Sequence, residues 1–458
     1  MSEQNKRRQF LKLGAGALAA GPAAMVVGGS LLAGPARAAG AAEVPAVSTR
    51  TLADLPKANG PRLVIVGGGT SGLTIAKYAK REYPKFDVVL VEKRDMYASC
   101  FSSNLLYTGI IDLEFLANHS YLDAAANNGY TFFNATVTGL DRGSKRLATS
   151  AGDIAYDFLV LAPGLDYDYG KIGVEDVETR TQLRQRYPGG FTSPTEHVTL
   201  RRKIREFEGG LFIQTVPSGN YRCAPAPYER ACMIASVIRR NKLKAKVLVL
   251  DANPEIKTKA AGFHAAFDEL YKDIIEWKPS SPVTGVDVGK RIIRTEFDDY
   301  AFDEAAIYPN VRASTLIETL GLMAPGSKSN QKEADIDTRF YNFIGDPYVY
   351  VTGDSRPQPY SKSGSTANSE GHYIARLLAA RAQGKEIEWA SPSNLCYSMV
   401  SADPQEAIWV TGRYVYDAEK DLIVGASEDT KAHNDRTTAN GLATLEWARG
   451  MYRDMFKA

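Results

Sequence analysis

The chain has 458 residues, 44% of them hydrophobic and 24% charged, with a formal net charge of +2, four cysteines and five histidines. That length carries about three domains and can bury a substantial core. A charge so near zero removes the electrostatic case for nucleic acid, and beyond the leader no stretch reaches the roughly 18 consecutive apolar residues of a membrane span.

Residues 1–38 read as a targeting segment rather than fold. Lys6-Arg7-Arg8-Gln9-Phe10-Leu11-Lys12 is a basic start with a twin arginine, Leu13 to Ala33 is a small-residue apolar run, and Ala36-Arg37-Ala38 is an A-x-A cleavage site. The run is too rich in glycine and alanine for a stable membrane anchor. A twin-arginine signal implies export to a periplasm already folded, around a tightly held cofactor. Residues 39–60, with Pro45 and Pro56, read as a flexible leader.

The stretch Leu63 to Glu92 organises the rest. Leu63 to Val66 form a short buried strand, Gly67-x-Gly69-x-x-Gly72 turns into a helix carrying Leu73, Ile75, Ala76 and Ala79, and Val88 to Val91 form a second strand ending at Glu92. Gly67 permits the tight turn, Gly69 lets a pyrophosphate approach the backbone, and Gly72 lets helix and strand pack closely. The helix N-terminus supplies N–H donors to phosphate, and Glu92 is placed to accept from a ribose diol. The polar loop 93–104 leaves the carboxyl end of the second strand, where open α/β sheets bind ligands. Cys100 lies in it, within plausible reach of a nucleotide, although by itself it reads as a buried free thiol. Leu105 to Asn128 reads as helical and Thr131 to Val137 as a strand.

Tyr156 to Gly164 is an apolar strand closed by Pro163-Gly164. In two-dinucleotide-domain flavoproteins such a strand and turn crosses from the FAD domain to the next, which favours FAD over NAD here. A second unit follows, with strand Gly210 to Val216, a helix from Glu229 to Ile238 and strand Lys246 to Asp251. Where a nicotinamide domain needs its glycine turn, residues 218–228 hold one glycine, two prolines and Cys223. Prolines remove N–H donors, so this unit is read as a degenerate NAD-type domain that does not bind NAD(P)H. Tyr348 to Val351 then returns to the first domain and ends at Gly353-Asp354, an acid placed for a ribityl hydroxyl. Ser365 to Arg381 reads as a helix whose N-terminal dipole favours negative charge on a reduced flavin. Ala407 to Gly412 reads as a strand of a smaller C-terminal α+β unit.

The fold class is therefore α/β, with two Rossmann-like domains of disulfide-reductase type plus the C-terminal unit. The boundaries are 61–170 and 311–384 for the two parts of the FAD-binding domain, 171–310 for the NAD-type domain and 385–458 for a C-terminal interface domain. Cys100, Cys223, Cys232 and Cys396 form no C-x-x-C motif, which excludes a c-type haem and a zinc ribbon in this chain. In an oxidising compartment three complete pairings, or one bridge with two free cysteines, stay open. The scattered histidines give no metal site.

The segments VGGGTSG with VLVEKRDMYASCFSSN, LVLAPG, YRCAPAPYER, VTGDSRPQPYSKSGSTANSEG and NLCYSM make the chain resemble the flavoprotein subunit of flavocytochrome c sulfide dehydrogenase over essentially its whole mature length. The resemblance implies a covalent FAD, joined by a thioether from Cys100 to the flavin 8α-methyl. It implies a redox disulfide between Cys223 and Cys396, and Glu229 as an active-site acid or base, beside a plainer reading of Glu229 as a first-turn helix carboxylate. Cys232 has no counterpart and reads as a buried helix thiol. Sulfide would attack the disulfide to form a persulfide, the released thiolate would lie against the flavin, and electrons would pass to a c-type cytochrome subunit in a heterodimer or to another small periplasmic metalloprotein. Two rival readings remain: a sulfide:quinone oxidoreductase, for which Leu442, Leu445, Trp447, Met451 and Phe456 supply an apolar helical stripe, and a non-catalytic FAD electron-transfer or assembly protein.

Overall fold

A computed structural model describes residues 51–326, 328–357, 359–425 and 430–458. The targeting segment and residues 39–50 of the leader lie outside them. The end of the leader is tied down: Asp153 N donates to Thr51 O at 3.1 Å and Ala53 N to Asp153 O at 3.0 Å.

The first sheet has five parallel strands, in the order Val349–Val351, Phe158–Leu161, Arg62–Val66, Asp87–Glu92 and Thr131–Asn134. Its strands are near-continuous apolar runs because both faces are covered. Leu63, Val64 and Ile65 and their neighbours Leu90, Leu159 and Val160 are all fully buried. Helices Thr70–Glu82 and Gly364–Arg381 pack against each other so closely that a Cβ on Gly371 would lie 2.9 Å from Thr74 Cβ.

The second sheet repeats the plan with four parallel strands, ordered Ile275–Lys278, Ala245–Asp251, Gly210–Val216 and Glu304–Ala306. Its helix, Ala226–Asn241, is buried along most of its length, including Cys232. The chain crosses between the two sheets on an antiparallel pair, Leu165–Asp168 with Asn310–Ala313. The C-terminal unit is a three-stranded antiparallel sheet, Asn394–Ala402, Gln405–Gly412 and Lys431–Thr437, followed by helix Thr438–Phe456.

The long helix expected over 105–128 is three short ones, Asn104–Thr108, Leu113–Ala117 and Tyr121–Asn128. Gly109 at φ +82° stops the first, and Asp112 and Ser120 cap the next two by accepting from Phe115 N and Asp123 N. Local side-chain caps outcompete helix propagation here. The strand expected over 131–137 likewise divides: Thr131–Asn134 stays in the parallel sheet, and Val137 opens an antiparallel meander.

Candidate active site

The first glycine turn is built as its sequence demands. Gly67 sits at φ +100°, and a Cβ there would lie 2.3 Å from Ala162 O. A Cβ on Gly72 would lie 1.9 Å from Gly67 O, so only glycine lets the helix close on the turn. Gly69 has nothing within 4 Å of its Cβ position, which leaves the backbone open to a phosphate. Glu92 accepts from Gly68 N at 2.8 Å and from Arg94 N and Nε at 3.0 Å each. Burial alone would raise its pKa, but the Arg94 guanidinium and the backbone donors hold it below the usual carboxylate value.

This turn opens into a cavity of about 160 Å³ lined by Gly67, Gly69, Glu92, Cys100, Pro163, Gly164, Gly353 and Asp354 among others. Glu92, Pro163 and Thr192 also line a second space of about 570 Å³ that runs past Val137 and Ser314. Every residue expected to bind the cofactor therefore meets here except Gly72, which acts by packing. The first turn of helix Gly364–Arg381 borders the cavity through Gly364 and Ala367. A glycine cradle, an open Gly69, an acid at the strand end and two adjoining cavities that share Gly67, Glu92 and Pro163 fit an extended FAD.

Cys100 lies in the cavity wall with its thiol raised above the ordinary value, by burial first, against the lowering influence of Arg222. Arg222 bonds the Asp354 carboxylate and the Phe191 carbonyl. Phe101, next to Cys100, packs edge-on against Trp447 at 5.4 Å, and Ser99 Oγ is 2.6 Å from Tyr452 Oη. The C-terminal helix thus backs the Cys100 loop.

Cys223 and Cys396 come together. One precedes helix Ala226–Asn241 and the other lies on strand Asn394–Ala402, and their thiols are within hydrogen-bonding reach. All four cysteines are free in the structure, and no bridge joins Cys223 to Cys396. Cys223 holds φ +57°, a left-handed conformation that non-glycine residues adopt at a cost. Its N–H donates to Lys362 O at 2.8 Å and its carbonyl accepts from Ala226 N at 2.8 Å. The contact with Cys396 and burial push the Cys223 thiol up, while the contact with Cys223 lowers Cys396 to about 6, with Lys259 helping.

Glu229 is 7% exposed, and burial raises its pKa to about 7. Its Oε2 accepts from Asn104 Nδ2 at 2.7 Å and its Oε1 from Met399 N at 2.7 Å. It therefore bridges the Cys100 loop, the helix after Cys223 and the Cys396 strand. Sequence reasoning missed Asn104, Arg222 and above all Lys259. Lys259 is 2% exposed, donates to Ser398 Oγ at 2.7 Å and to Cys396 O at 3.2 Å, and has no carboxylate partner among the described residues. No periodicity marks it. Arg222, directly before Cys223, carried a usable signal, a cation joined to a candidate redox cysteine.

Two linked parallel sheets, a dinucleotide cradle on the first and a cysteine pair at the turn of the second define a flavoprotein of the pyridine nucleotide-disulphide oxidoreductase type. Residues 61–187 match the family of that description. Residues 197–309 match the central region of the sulfide dehydrogenase (flavocytochrome c) flavoprotein chain, and residues 390–456 match the flavocytochrome c sulphide dehydrogenase flavin-binding family. The chain belongs to the flavocytochrome c sulfide dehydrogenase flavoprotein family. It is 22% identical over 331 residues to a mitochondrial sulfide:quinone oxidoreductase of Dictyostelium discoideum, covering 68% of this chain and 69% of that one. A Schizosaccharomyces pombe protein of the same name is 20% identical over 372 residues, covering 71% and 75%. The crystal structure of a sulfide:quinone oxidoreductase from Aquifex aeolicus superposes with a TM-score of 0.66 at 14% identity, over 86% of this chain and 92% of the other.

Proposed function

We propose that the chain is a periplasmic sulfide dehydrogenase that oxidises sulfide to zero-valent sulfur or polysulfide, holds FAD covalently through Cys100 and passes electrons to a c-type cytochrome partner. The observation that carries this reading is the contact between Cys223 and Cys396, with Glu229 and Lys259, next to a dinucleotide cavity walled by Cys100.

The working form holds the cysteines as a disulfide. Hydrosulfide adds to one of the two sulfurs, the bond between the cysteines breaks, a persulfide forms on one and the other leaves as a thiolate. Glu229, poised near neutrality, receives the proton of incoming hydrogen sulfide. Lys259 places a buried positive charge beside the Cys396 backbone, where it stabilises the thiolate. FAD, held by the Gly67–Gly72 turn, Glu92 and the Cys100 wall, would supply a two-electron acceptor for the pair given up when the disulfide re-forms and zero-valent sulfur departs. Arg222 and Asp354 fix the wall between the cysteine pair and the cavity.

The sulfide:quinone relatives favour a second reading, the same chemistry delivered to a quinone. Against it, the apolar stripe of helix Thr438–Phe456 is largely spent on packing. Met451 and Phe456 are buried, and Leu442, 66% exposed, is the outlier. Among the described residues no helix is long and apolar enough to cross a membrane.

Denaturing precipitation followed by mass spectrometry tests the cofactor link. FAD should stay on the peptide holding Cys100, and Cys100→Ser should release it; flavin lost from the native chain on denaturation would refute the link. Side-by-side assays with cytochrome c and a short-chain ubiquinone separate the acceptors, with faster cytochrome reduction expected. Sulfide that left the flavin unbleached would favour the non-catalytic reading.

A further inference from the structure

A second cavity, of about 230 Å³, shares no lining residue with the cofactor site. It is lined by Tyr107, Thr108 and Gly109 at the end of a short helix, by Arg201 and Arg205 from helix Pro194–Glu206, and by Arg240 from the last turn of helix Ala226–Asn241. Arg201 and Arg205 stand one turn apart on the same helix face, where like charges repel.

None of the three has a carboxylate partner among the described residues, although a carboxylate is at hand: the adjacent Arg202 pairs with Glu206 at 3.5 Å. Arg240 spends Nη1 on Thr108 O at 3.1 Å. Arg201 keeps its Nε buried with no acceptor. Arg205 and Arg240 are exposed, and the buried donor of this cavity that lacks an acceptor is Arg201 Nε, whose unmet hydrogen bond a bound anion recovers. A wholly solvated basic face would leave Arg201 Nε in water as well.

We propose that this cavity binds a small tetrahedral oxyanion of charge −2. Guanidinium forks match two oxygens of such an ion at a time, and the cavity has room for the ion with several waters. Inorganic phosphate and sulfur oxyanions share this chemistry.

The test is isothermal titration calorimetry of the FAD-loaded full chain with sodium phosphate, sulfate and thiosulfate, at an ionic strength fixed with chloride. Bound FAD keeps these ions from its own phosphate cradle. The expected result is one saturable site, weakened about tenfold by Arg205→Gln, as loss of one charge-assisted hydrogen bond implies, and lost in the Arg201→Gln/Arg205→Gln double variant. In chloride the double variant should melt no lower than the parent, because a repulsive pair has been removed. The tightest of the three ions identifies the source, a sulfur oxyanion or phosphate. Equal heats in parent and double variant, or no saturable heat beyond that of chloride, would overturn the proposal.

Discussion

Between strand Arg62–Val66 and helix Thr70–Glu82 the chain turns on three glycines, whereas between strand Gly210–Val216 and helix Ala226–Asn241 the equivalent turn carries Arg222, Cys223 and Pro225. Both turns join a buried parallel strand to a helix packed on its sheet, so the architecture is the same. The first leaves Gly69 bare to a phosphate; the second removes an N–H with proline and blocks approach with side chains. What the second turn gains is a cysteine in a left-handed conformation, aimed at a partner from the C-terminal sheet. One βαβ plan thus forms a nucleotide cradle in one copy and, in the proposed function, a redox turn in the other, and the turn residues decide which.

The sharpest break of that comparison is Cys223→Ser, which should slow sulfide-dependent flavin reduction at least about 10³-fold and leave dithionite reduction intact in a stopped-flow assay. Gly72→Ala comes next. Its Cβ would sit 1.9 Å from Gly67 O, so stability should fall by about 2–4 kcal/mol, with FAD lost during purification, measured by thermal unfolding and by flavin-to-protein absorbance. Lys259→Met should raise the reduced Cys396 thiol above its value of about 6 and slow turnover about tenfold near neutral pH. Lys259→Arg should restore much of it, and thiolate ultraviolet absorbance against pH reads the shift.

Glu229→Gln should remove a break near pH 7 from the rate profile. Since the folded pKa of about 7 lies above the reference 4.5, the native state binds this proton more tightly than the unfolded one. The stabilisation is full below 4.5 and lost as pH rises toward 7, about 3 kcal/mol at most. Glu229→Gln should therefore flatten a decline in melting temperature across that window. The smallest effect belongs to Gly219→Ala in the second turn. At φ +81° with only Gln331 Nε2 within reach, at 3.4 Å, it should cost about 1 kcal/mol and leave flavin content unchanged.

The sheets were legible in the sequence because buried parallel strands write themselves as apolar runs, Leu63 to Val66 and Gly210 to Val216 among them. The cofactor residues were legible because glycines and strand-end acids have positional meaning. The breaks in 105–128 were hidden because Asp112 and Ser120 act as caps only in a context that one-dimensional periodicity does not carry. Lys259 was hidden for a similar reason. A buried lysine has no sequence period, and its partners Cys396 and Ser398 are distant in the chain.

In the proposed function sulfur enters at the Cys223–Cys396 pair. Anaerobic single-turnover treatment with one equivalent of sulfide, followed by rapid acid quench and unreduced peptide mapping, reads it directly. One extra sulfur atom should appear on the peptide holding Cys223 or Cys396, or on the two joined together. Extra sulfur on the Cys100 or Cys232 peptide, or none on any cysteine while the flavin bleaches at full rate, would contradict it.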